Sequence, residues 1–90
     1  MDLTQVTLID GVFQPDEARE LLTKLINHKI QYHQVDAFSK DIRNIEDSAH
    51  STQRIKALEE ALATLQQTVK EAEANHKRIV IKSDIALSFE

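Results

Sequence analysis

Ninety residues with 41% apolar side chains fit one small folded domain, close to the size at which a single core becomes marginal. The absence of cysteine excludes a disulfide scaffold, a thiolate nucleophile and a cysteine metal site. A net charge of −4, with acidic and basic residues interspersed, gives no electrostatic footprint for nucleic acid.

The chain reads as a single domain over 1–90 with a strand and turn at 4–14. Thr4-Gln5-Val6-Thr7-Leu8-Ile9 is rich in β-branched and apolar side chains, which favours a strand. Asp10-Gly11 is a two-residue turn signal, leaving Val12-Phe13 as a short returning strand or an extended entry to the first helix. Pro15 suits the first helical position, where its missing N–H has no partner to lose, and Asp16, Glu17 and Glu20 compensate the positive helix end.

A first helix is predicted over 15–37. Ala18, Leu21, Leu22, Leu25, Ile26, Ile30, His33 and Ala37 recur at helical spacing on a face broad enough for two neighbours. Residues 38–51 leave three readings open: an extension of that helix, a separate short helix, or a partly ordered loop. Phe38, Ile42 and Ile45 form an apolar stripe there, and a structureless loop of that length is unusual in a small domain. The break is placed at Ser48 to Thr52, because serine and threonine favour helix starts.

The second helix is predicted over 52–76. Ile55, Leu58, Leu62, Leu65, Val69, Ala72 and His76 follow a 3-4 rhythm, which returns one side of a helix to a single seam. Lys56 with Glu60, and Glu73 with Lys77, are spaced for i,i+4 pairing. At 78–89 the period changes: Ile79, Ile81, Ile85, Leu87 and Phe89 alternate with polar residues as in a half-buried strand, with a bulge expected at Ser83.

The expected fold is α+β and predominantly helical: a long antiparallel helical hairpin whose N- and C-terminal strands form a small antiparallel sheet. Neither the hairpin nor a sheet this small is stable alone, so a homo-oligomer, with a dimer favoured, is expected to complete the core.

The residues that could carry chemistry are few. His28 and His33 are five apart and do not share a helix face as zinc ligands do, and His33 and His76 fall at opposite ends of the hairpin. His33 and Asp36 are spaced as a base and its orienting group, but no serine, threonine or cysteine is placed beside them by the pattern. The expectation is a surface hydrogen bond between them, with His33 and His76 partly buried and His28 and His50 exposed. No catalytic residue, metal site or cofactor is assigned. Lys40, Arg43, Arg54 and Lys56 could meet nucleic acid at the hairpin tip, but Asp41, Glu46 and Asp47 offset their charge.

No apolar run approaches the roughly 20 residues needed to cross a bilayer, and Met1-Asp2-Leu3-Thr4 lacks the features of a secretory signal, so a cytoplasmic protein is expected. The reading is a small non-catalytic protein–protein interaction or scaffold protein that self-associates through helix packing and also offers a surface to another protein. Ile55, Leu58, Leu62, Leu65 and Val69 are the packing residues, and Phe38, Ile42 and Ile45 the partner surface. The alternative is a small regulator that binds nucleic acid through the hairpin tip.

Overall fold

A computed structural model describes residues 3–43 and 49–90, the side chains of residues 40–43 and 49 excepted. The element order is β1 (Leu3–Phe13), α1 (Pro15–Arg43), α2 (Ala49–Ala74) and β2 (Ile79–Ser88). The helices pack against each other, and β1 and β2 form a two-stranded antiparallel sheet. This is the α+β, mostly helical arrangement expected from the periodicities.

Helix α1 begins where its local chemistry directs. Pro15 is its first residue, the Ala18 amide donates to the Gln14 carbonyl at 2.9 Å, and Glu17 Oε1 accepts from the Gln14 amide at 2.9 Å. The Gln14–Glu17 bond is the return half of a capping box, and it satisfies a backbone donor just ahead of the helix. The helix runs on to Arg43, six residues past its predicted end, so Phe38 is helical. Helix α2 starts at Ala49, inside the segment predicted as the break.

Helix α2 ends in a turn that the seam pattern concealed. The Lys77 amide reaches the Ala72 carbonyl at 2.9 Å, the His76 amide reaches the Glu73 carbonyl at 3.3 Å, and His76 has φ 53°. These are the paired bonds of a Schellman motif, with His76 in the left-handed position that glycine usually fills. His76 is therefore exposed rather than partly buried, and it closes the helix instead of extending its seam.

β1 is continuous from Leu3 to Phe13, so Asp10-Gly11 is not a turn. Val12 and Phe13 have their partners in β2, at Val80 and Ile79, and a local hairpin would remove those pairings. Gly11 serves a close approach instead: a Cβ there would meet the Phe13 ring at 3.2 Å. The bulge lies on β1, where Thr7 pairs with Asp84 and Ile9 with Ser83, leaving Leu8 as the extra residue. The irregularity near Ser83 is real, but it belongs to the strand opposite.

The buried core is small. Ile9, Ala18 and Ile81 form one cluster, flanked by Phe13, Leu21, Leu22 and Ile79 at the base of the hairpin, and Val69 is buried on α2. Arg19 of α1 and Glu73 of α2 form an exposed ion pair across the two helices. Glu73 thus pairs with the neighbouring helix rather than with Lys77. Such exposed pairs contribute a few tenths of a kcal/mol, about 0.2–1.

The molecule is thin and open, 50 × 32 × 14 Å, with a radius of gyration of 16.3 Å. A globular chain of this length has a radius of about 12 Å. The end of the sheet at Phe13 and Ile79 packs on α1, and the far end projects: Val6, Ile85 and Leu87 are exposed. No helix among the described residues is long and apolar enough to cross a membrane.

Candidate functional site

Three surfaces concentrate the polar or apolar chemistry of the chain: the helix–helix seam, a polar cluster near the hairpin tip, and the bare apolar faces.

The seam is used within the hairpin. Of the positions on α2 beyond His50, those that are not fully exposed are Ser51, Ile55, Leu58, Leu62, Leu65, Val69 and Ala72. These repeat at 4-3-4-3-4-3, so the rhythm continues one step upstream of Ile55 and places Ser51 on the helix 1 side. Val69 is buried, while Ile55, Leu58, Leu62 and Leu65 are half-buried. That incomplete burial reflects a seam flanked by open space.

Ser51 joins His33 and Asp36 in a polar clasp between the helices. Its hydroxyl donates to Asp36 Oδ2 at 2.6 Å, and His33 Nδ1 lies 3.4 Å from Ser51 Oγ. With the hydroxyl proton committed to Asp36, Nδ1 is the donor toward Ser51 and Nε2 carries the lone pair. Nε2 is buried and finds no partner among the described residues. The His33 ring also packs edge-on against Tyr32, with centroids 5.1 Å apart, and Lys29 Nζ lies 4.5 Å from the Tyr32 centroid.

His33 is buried, beyond the partial burial expected of it: it is 7% exposed and Ser51 is 1% exposed. Desolvation is the main force lowering the His33 pKa below 6.5. The positive charges of Lys29, Arg54 and His50 add to it, and Asp36 opposes it. The neutral ring is therefore favoured. In a catalytic triad the carboxylate orients the imidazole, and the imidazole takes the serine proton. Here the carboxylate accepts from serine directly, and the hydroxyl is sealed between helices. The geometry suits a clasp that fixes the register of α1 on α2.

His28, His50 and His76 are exposed, and the described residues contain no group of three or more histidine, cysteine or acidic side chains able to hold a metal ion. Arg54 and Lys56 are exposed on α2. Phe38 is 67% exposed. The Ile42 side chain and all of Ile45 lie outside the described residues, as do the side chains of Lys40, Asp41 and Arg43 and all of Glu46 and Asp47.

The bare apolar faces are extensive. Leu25, Tyr32, Val35 and Phe38 are exposed along α1, and Leu3, Val6, Val12, Val80, Ile85, Leu87 and Phe89 along the sheet and its end. An apolar groove of about 390 Å³ also opens between the helices and the start of β2, walled by Leu22, Leu65, Val69 and Ile79 with Thr64 and Thr68. The two threonine hydroxyls bond carbonyls of their own helix, at Glu60 and Thr64, both at 3.1 Å. Their polar atoms are thus satisfied inside α2.

No family model matches the chain, and comparison with curated proteins and with solved structures also finds no match.

Proposed function

We propose that this chain is a small non-catalytic interaction or scaffold protein that self-associates, with its helices forming part of the assembly. One observation carries this reading. The chain exposes 7171 Å² of surface. That is roughly 1,800 Å² more than the about 5,400 Å² that a compact monomer of its mass presents. A stable interface buries about 800 Å² per partner, so the excess is large enough for one or two.

The excess is apolar where it matters. Leu25, Tyr32 and Val35 are exposed along α1, and of these Leu25 belongs to the face read as broad enough for two neighbours. A second helical hairpin packed there completes a four-helix arrangement. Phe38 extends the same surface toward the tip, where a further protein partner can be recruited. A cytoplasmic setting suits a chain without cysteine.

Light scattering across a concentration series tests this reading. A mass of at least twice 10.3 kDa at tens of micromolar is expected, falling on dilution. The paired change Leu25→Lys and Val35→Glu is expected to lower the association constant at least tenfold if the α1 stripe is buried. A mass of 10.3 kDa at every concentration contradicts self-association.

A further inference from the structure

We infer that the outer edge of β2 is a two-fold interface with a second copy of this chain, centred on Ser83. This deepens the self-association proposed above and rests on it. In a two-stranded sheet β2 has one edge on β1 and the other open, with backbone groups free to pair. The corresponding edge of β1 is interrupted by the bulge at Leu8, whereas β2 is regular.

The sequence of β2 reads as a complement of itself about Ser83. An antiparallel two-fold through Ser83 sets Lys82 opposite Asp84 of the second copy, Ile81 opposite Ile85, Val80 opposite Ala86, and Ile79 opposite Leu87. Both charged positions meet opposite charge, Ser83 meets itself on the axis, and the remaining pairs are apolar. Moving the axis by one residue sets Lys82 against Lys82 or Asp84 against Asp84, and like charges directly opposite are destabilising. The chain's own pairing adds to this, because Asp10 lies opposite Lys82 on β1. The dimer then carries an Asp10, Lys82, Asp84 row of alternating sign on the face away from the helices.

The other face explains the uncovered residues. Ile81 is buried beneath the helices and pairs with Gly11, while Ile85 and its partner Val6 are exposed. The two-fold aligns all four in one row, so each copy's bare pair continues its neighbour's covered pair. Leu87 arrives beside Ile79, which walls the apolar groove. The product is a four-stranded antiparallel sheet in the order β1, β2, β2, β1, with both helical hairpins on one face. A sheet of that size with one covered face is independently stable where two strands are not.

The chain has no cysteine, so Ser83→Cys introduces a single thiol at the proposed axis. Under mild oxidation S83C is expected to form an inter-chain disulfide in high yield, and a control thiol at Ser88 much less. Charge variants give an independent readout by sedimentation equilibrium. Lys82→Asp and Asp84→Lys each weaken the dimer at least tenfold, and the double exchange restores most of the loss. A dimer whose mass is unaffected by these variants, with no S83C cross-link, overturns the β2 interface while leaving self-association through another surface standing. A monomeric parent chain overturns both.

Discussion

The two halves of the β1–β2 ribbon have the same alternation and opposite fates. Near the hairpin, Ile9 and Ile81 are buried against Ala18 and the flanking leucines of α1. Beyond the bulge, Val6, Ile85 and Leu87 continue the same apolar pattern and are exposed. Alternation specifies which face of a strand is apolar, and only a neighbouring element decides whether that face is covered. The helices meet the end of the ribbon at Phe13 and Ile79, and in the dimer proposed above a second copy completes the other end.

The sharpest way to break this contrast is to truncate equivalent residues on each side of it. Ile81→Ala is expected to cost about 3 kcal/mol, because it empties a site in a core of very few residues. Leu87→Ala, at a position 54% exposed, is expected to cost less than about 0.5 kcal/mol of monomer stability. Its effect should appear as weaker association instead. Urea denaturation at low and high concentration separates the two. Equal losses at both sites in dilute solution would show that the far half is already covered within one chain.

At the hairpin tip, Ser51→Ala removes the hydroxyl between His33 and Asp36 and is expected to cost about 1–2 kcal/mol. A catalytic serine would show little stability loss on the same change, so equilibrium unfolding distinguishes the roles. The pH response follows from His33. Its folded pKa is lowered, so at a pH above 6.5 the ring is neutral in both states and stability is at its full value. As pH falls below 6.5 the unfolded chain takes up the proton first, and stability declines until the folded pKa is passed. Unfolding midpoints at pH 7.5 and 5.5 should differ less in His33→Asn than in the parent chain.

The smallest expected change is a gain. His76→Gly relieves a left-handed backbone at the α2 Schellman turn and should stabilise the chain by about 1 kcal/mol. A loss on that change would mean that the His76 side chain makes a contact worth more than the backbone strain.

Much of the fold was legible because it is written in periodicity. The 3-4 rhythm from Ile55 to Ala72 and the alternation from Ile79 to Leu87 both identify elements from residue type alone. Features set by a distant partner were not. Asp10-Gly11 has the residues of a turn, yet β1 passes straight through it because β2 pairs with Val12 and Phe13 and the Phe13 ring lies close over Gly11. His76 keeps the seam spacing while its backbone leaves the helix. Ser51 was concealed because serine reads as a helix start; its phase with Ile55 was the available signal that it faces α1. The burial of His33 and the partial burial of Asp36 follow from the same cluster. Of the stripe read as a partner surface, Phe38 is exposed on α1, while the Ile42 side chain and Ile45 lie outside the described residues.

The completion of the ribbon is tested most directly by hydrogen exchange along β2 at two protein concentrations. At high concentration, amides that face β1 and amides that face away from it should both be protected from Ile79 to Leu87, and the outward set should lose protection on dilution. Outward amides that exchange at free-peptide rates at every concentration, beside protected inward ones, would contradict a second copy on that edge.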